Sequence, residues 1–414
     1  MAQNSRKLCL QEIKVISKNA ISMERFALLI FSCTLIFAFS VMFFFTDGKT
    51  YLSNLIVVAS IIGMVSFYIH RYPVGFKNRH IIWVLLFYAI YLFVNRQIHG
   101  DQYGIMRAII YVIFFTFLIP RNVFLLKAGC YGVILGGFGL GVISIWQYNH
   151  GVARVEGFTN AIIFSQTALT LAILNFWFSV SFSENRLEKW FHIISALFSL
   201  GALYLSQSRG VWLAFMVVIT CFLLFKIKTK PLKYISITLG LLLVLGMLCL
   251  NSSIVKNRID SGLSDVVNME NGNYSTSLGL RAVAWESAWL GFLDSPLIGV
   301  GTEGFDALKQ EQVKLGLVPQ ALLNPELAHA HNQYLQTLVI RGGIGFIFLL
   351  GILILPAIFF AKEMGFVSAG VFIPISFAVG AVFDVPFEHQ SMMYLYSFSL
   401  IFILFCHELK QDLL

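Results

Sequence analysis

His329-Ala330-His331-Asn332-Gln333-Tyr334-Leu335-Gln336 runs within a few residues into Ile344-Gly345-Phe346-Ile347-Phe348-Leu349-Leu350-Gly351-Ile352-Leu353. Side chains able to move a proton thus sit where the chain turns from polar to hydrocarbon-compatible, as expected where a loop re-enters lipid. Outward from this point, apolar runs long enough to cross a bilayer, about 17 to 25 residues each, read at 26–46, 51–69, 80–96, 104–120, 123–147, 160–182, 189–207, 210–226, 233–251, 333–361, 366–383 and 390–408. They predict an all-α integral membrane protein of about twelve crossings. It divides into nine N-terminal helices over 1–251, one long polar loop over 252–332, and three C-terminal helices over 333–414.

Composition agrees. Of 414 residues, 58% are hydrophobic and 12% charged, and the mean hydropathy is +0.79, which excludes an ordinary soluble multidomain protein. Strict period-two alternation is absent, which argues against a β-barrel. The polar, basic residues 1–22 precede a long apolar run without a small-residue cleavage site, so that run is expected to be a retained first helix. With the N-terminus inside, the inner segments carry 18 of the 29 basic residues. The positive-inside rule then puts both termini in the cytoplasm and loop 252–332 outside. The net charge of +8 follows from that bias, and no basic stripe suggests nucleic acid. The six cysteines lie in or beside the apolar runs and imply neither a disulfide framework nor a zinc motif.

Within the loop, Val255, Ile259, Leu263 and Val266 recur at helical spacing until Asn271-Gly272-Asn273. A second amphipathic helix is expected from Ser277 to Asp294-Ser295-Pro296. Both are expected to lie on the membrane domain. Gly299-Val300-Gly301-Thr302-Glu303-Gly304 matches a dinucleotide-binding pattern formally, but without a strand before it reads as a turn.

The outer face collects arginines. Arg209 ends one crossing as the next begins, Arg154 lies in a short outer loop, and Arg107 and Arg341 lie just inside crossings. Arg281 opens the second loop helix. Each alone is compatible with snorkelling or a surface position. Together they suit bidentate recognition of phosphate oxygens. His329 and His331 admit three readings. A metal pair would need an extended segment and further ligands from Glu326, Glu388 or His389. Asn332 is a good helix N-cap, and His331 beside it suits a general base. Asp384, Glu388 and His389 face the same compartment as a possible rim.

Leu205-Ser206-Gln207-Ser208-Arg209-Gly210, then Thr276-Ser277-Leu278-Gly279-Leu280-Arg281 running to Asp294-Ser295-Pro296-Leu297-Ile298-Gly299-Val300-Gly301, then His329-Ala330-His331-Asn332, resembles the O-antigen ligase and polymerase superfamily. The closest likeness is to lipopolysaccharide O-antigen ligases of bacterial inner membranes. The resemblance implies a GT-C-like enzyme that moves a glycan from undecaprenyl pyrophosphate to the lipid A-core oligosaccharide on the periplasmic face. It implies no nucleotide sugar, cofactor or metal. It places catalysis on Arg209, Arg281 and His331. Arg154 and Gly157 to Asn160 look like the family's short outer loop. His329 and Asn332 are expected beside the substrate, and Arg341 is added from its membrane depth. An O-antigen polymerase and a protein O-oligosaccharyltransferase are rivals within the superfamily. A transporter of lipid-linked sugar is the rival outside it, disfavoured because the polar groups gather at one face.

Overall fold

The computed structural model describes residues 23–413 except 71–72, 102, 184 and 326. Segment 1–22 and Glu326 therefore lie outside the described residues. Among those described the chain is helical and contains no strand, only an isolated bridge between Val74 and Pro120. A helix stands at each of the twelve apolar runs. These are α1 (23–39), α2 (Gly48–His70), α3 (His80–His99), α4 (Gly104–Leu118), α5 (Val123–Asn149) and α6 (Ala161–Ser181). There follow α7 (Arg186–Leu205), α8 (Arg209–Ile227) and α9 (Pro231–Asn251). After loop helices α10 (Ser253–Glu270), α11 (Ser277–Asp294) and α12 (Gly301–Lys314) come α13 (Gln333–Met364), α14 (Ala369–Gly380) and α15 (Gln390–Leu413).

Seven of these, α2, α3, α5, α6, α8, α13 and α15, are long and apolar enough to cross a membrane by length and composition. This is a multi-pass, all-α membrane architecture. α4 and α14 are apolar but shorter. At about 1.5 Å per residue, the 12 residues of α14 fall short of a bilayer core. The chain leaves the helix at Ala381, and residues 384–387 are buried against protein, the setting in which irregular backbone is tolerated near lipid. The run expected as one crossing at 366–383 is thus a short helix ending in a buried turn.

Asparagine caps start several helices. Asn122, Asn160, Asn185 and Asn332 each accept first-turn amide hydrogens through Oδ1, satisfying donors that no helical carbonyl reaches. Small residues then let helices touch. On α5, a Cβ at Gly137 would lie 2.4 Å from Ser195 Oγ of α7, and one at Gly136 would lie 1.9 Å from Phe39 O. Such contacts replace the hydrophobic drive that lipid does not supply between helices.

The loop is more built than the sequence suggests. α10 has no buried residue, and Ile259, Leu263, Val266 and Val267 face outward, as an interfacial helix would place them. α11 differs. It buries Leu280, Val283 and Ala284 against Val318, Leu322 and Leu327, and Ala288 packs with Phe305, Ala330, Val339 and Ile340. α12, unforeseen in the sequence, begins where the glycine turn ends, and Asp101 caps it by accepting from Thr302 N at 2.8 Å. The turn also joins loop to membrane helix. α13 is interrupted at Gly342 (φ 65°), a left-handed conformation that suits glycine. There Val300 N donates to Val339 O at 2.8 Å, Gly343 N to Pro296 O at 2.8 Å and Ile344 N to Leu297 O at 3.2 Å. The Pro296–Val300 stretch thus fills the break in α13 backbone to backbone.

Candidate active site at the loop–membrane junction

Four arginines from four segments converge on one pocket. Arg154 comes from the α5–α6 loop, Arg209 opens α8, Arg258 lies on α10 and Arg281 on α11, and all four line the same pocket. Arg154 is held by Nε donating to Ser206 O at 3.2 Å and Nη2 to Ser208 Oγ at 3.4 Å. Arg209 donates to Arg258 O and to Asp265 Oδ2, each at 3.4 Å. Its guanidinium lies over Gly262, where a Cβ would come within 2.7 Å of Nη1. Arg258 Nε is buried with no hydrogen-bond partner.

This arrangement favours an anion. Burial pushes the Arg154, Arg258 and Arg281 guanidiniums below their ordinary range, and neighbouring arginines push the same way against partial relief from Glu156, Asp265 or Asp384. Clustered like charges in reduced dielectric are costly until a counter-charge arrives. Ser277 brings the N-terminus of α11 to the same wall. Its first-turn amides and positive dipole end add to the attraction for phosphate oxygens.

Beside the pocket stands a histidine–carboxylate pair. Phe383 lines the arginine cavity, and its chain neighbour Asp384 places Oδ1 3.6 Å from His331 Nδ1. That distance is too long for a hydrogen bond and short enough for charge to be felt. Asn332 is the N-cap, accepting from Tyr334 N at 3.0 Å and Leu335 N at 3.1 Å. His331 just before it takes φ 47°, an uncommon backbone state for a side-chain-bearing residue. Three hydrogen bonds fix the chain on either side of it. His331 N donates to His329 Nδ1 at 3.2 Å, and Gln333 N donates to Ala381 O at 2.7 Å and Asp384 O at 3.0 Å. His329 is kept neutral, its pKa lowered to about 4 mainly by burial, with His331 adding to the shift and Asp384 opposing it.

Of the residues predicted from sequence, Arg154, Arg209 and Arg281 meet in the pocket, with His331 next door. His329 supports His331, and Asn332 uses its side-chain oxygen for the cap. Arg341 is elsewhere engaged: it is 4% exposed and its fork is taken by Glu388, with Nη1 on Oε1 and Nη2 on Oε2 at 2.8 Å. His329, His331 and Asp384 bring donor atoms within 4.8 Å of one another. That is a minimal set for a divalent ion, but zinc contacts of about 2.0–2.2 Å would require them to draw closer, and His329 Nδ1 already receives the amide.

Arg258 escaped the sequence reading, which followed the apolar stripe of α10. Its signal is the other face, where Arg258, Gly262 and Asp265 recur at four- and three-residue spacing, a glycine between opposite charges. Asp384 as the partner of His331 had no local signal.

An arginine-lined pocket and a histidine–carboxylate pair thus lie side by side where the loop helices meet the membrane helices. Residues 194–350, which carry Arg209, Arg258, Arg281 and His331, match the O-antigen ligase family. Over that stretch the chain is similar to the O-antigen ligase family. The chain is also similar to an uncharacterized protein of Haemophilus influenzae, 26% identical over 325 residues that cover 74% of this chain and 79% of the relative.

Proposed function

We propose that the protein is an O-antigen ligase of a bacterial inner membrane. It joins a glycan carried on undecaprenyl pyrophosphate to the lipid A-core oligosaccharide at the periplasmic face. The observation that carries this reading is the four-arginine pocket lying against the His331–Asp384 pair. Arg154, Arg209, Arg258 and Arg281 hold the pyrophosphate and take up the charge that grows on it as the anomeric C–O bond breaks, a contribution of several kcal/mol. His331 turns Nδ1 toward Asp384, which leaves Nε2 to accept the proton of the attacking core-sugar hydroxyl. The hydroxyl oxygen bonds to the anomeric carbon from the face opposite the pyrophosphate, inverting it, and the bond pair leaves with undecaprenyl pyrophosphate. The membrane holds both lipids in one plane, which favours their encounter. No metal takes part in this scheme.

Reconstitution in proteoliposomes with lipid-linked glycan and lipid A-core, without nucleotide, tests it. Joined product that survives chelator is expected. Lengthening of the carrier-linked glycan without transfer to the core would instead indicate a polymerase. Transfer only to a Ser or Thr of a periplasmic protein would indicate an oligosaccharyltransferase, and glycan crossing the bilayer with no new glycosidic bond a transporter. Activity abolished by chelator and restored by Zn²⁺ or Mg²⁺ would overturn the metal-free scheme.

A further inference from the structure

A second, smaller recess with room for about one water-sized group adjoins the arginine pocket, and Ile162 lines both. Ile162, Ile163, Pro386 and Met392 give it apolar walls, and its polar side chains are Gln166 and Asp384. Gln166 is 3% exposed and Asp384 4%. The Gln166 amide has a defined orientation. Ser376 Oγ donates to Ile373 O at 2.8 Å, so its oxygen is left to accept from Gln166 Nε2 at 3.4 Å. Gln166 Oε1 is then buried with no partner. Gly380 gives it room, since a Cβ there would stand 2.6 Å from Oε1.

The two cavities have opposite preferences. The arginine pocket offers donors and positive charge, and so takes phosphate. The second cavity offers two acceptors, Gln166 Oε1 and the Asp384 carboxylate, and one of the two Gln166 amide hydrogens is committed to Ser376 Oγ. A ligand there must bring its own donors. A phosphate cannot, whereas a polyol can. We propose that this recess receives a single hydroxyl of one sugar ring of the acceptor, with Gln166 Oε1 accepting from that hydroxyl while Asp384 and His331 serve the attacking one. The inference rests on the glycosyl-transfer reading above and assigns the acceptor's place within it.

The test uses full-length protein in proteoliposomes with undecaprenyl-pyrophosphate-linked glycan and lipid A-core. Gln166→Met removes the acceptor oxygen at similar volume, and Gly380→Ala displaces it from a different helix. Gln166→Asn, which withdraws the oxygen by one methylene, replaces the Met variant if that protein does not accumulate. Each is expected to raise the acceptor KM about tenfold, the scale of one lost hydrogen bond, with the donor KM within about twofold of the parent. An unchanged acceptor KM in a folded variant would overturn the subsite. So would a donor KM that rises as much as the acceptor KM, because the residue would then serve the donor or general packing. Parent protein that forms no product on this acceptor would remove the transfer reading and the subsite with it.

Discussion

His331 Nδ1 faces Asp384 Oδ1 across 3.6 Å, and the two residues are brought together by Gln333, whose amide donates to Asp384 O at 3.0 Å. In the proposed mechanism this places Nδ1 toward the carboxylate and leaves Nε2 for the substrate. His331→Ala is expected to lower kcat by about 10²–10⁴, the range for loss of a general base, with the donor KM little changed. Asp384→Asn keeps the shape and removes the charge, so its kcat should fall while the donor KM stays close to that of the parent. A normal rate for His331→Ala at normal protein level would remove histidine from the mechanism.

Arg258 is a cation among cations whose buried Nε has no hydrogen-bond partner. Burial and the charge of Arg209 both hold its pKa down, so Arg258→Met should leave thermal stability equal or higher in the absence of substrate. The same change should raise the donor KM tenfold or more, because a charge-assisted contact to phosphate contributes about 1.5–3 kcal/mol. Melting curves with and without the lipid-linked donor separate these outcomes. Equal stabilisation of parent and variant by donor would place Arg258 outside the site.

Gly262 offers a test that leaves every charge in place. Gly262→Val puts a side chain where the Arg209 guanidinium now rests, and should reproduce the kinetic loss of Arg209→Ala at unchanged net charge. If transfer persists at the parent rate, Arg209 acts from some other position.

Arg341 and Glu388 should behave as a structural pair. Truncating either leaves a buried charge without its partner, at a cost of about 3–5 kcal/mol. Arg341→Ala is therefore expected to reduce the amount of folded protein in the membrane, and the Arg341→Met, Glu388→Leu double variant should recover much of it. Specific activity per folded molecule is the deciding measurement. A selective loss of donor affinity in folded Arg341→Ala would return Arg341 to the substrate.

His329 should make the fold acid-sensitive. Its pKa is about 4 in the folded protein against an ordinary value of about 6.5 when unfolded. Between those values the unfolded chain binds the extra proton, so stability is fully present above about pH 6.5 and falls as the pH drops toward 4. Thermal melts across this window should decline for the parent and flatten for His329→Gln.

Much of this architecture is legible in the sequence because hydropathy is a local signal: each apolar run found its helix, and Asn332 capped α13 as its position implied. The arginines were legible as a set because family spacing and outer placement coincide on Arg154, Arg209 and Arg281. Arg341 looked equivalent to them from membrane depth alone, since its partner Glu388 lies beyond the next helix, α14. The His331–Asp384 pair was hidden for the same reason. α12 was hidden by its polarity and by a glycine turn that reads as an end and is also a beginning.

The docking of Pro296–Val300 into the break at Gly342 has a consequence for biogenesis. Loop 252–332 emerges from the ribosome before α13 exists, so its helices wait for a backbone partner that has not been made. Asp384 comes later still. A nascent or truncated chain ending before α14 would carry all four arginines and the histidine yet lack Asp384. Under the proposed function such a chain could not spend lipid-linked glycan on water before its last helices are made.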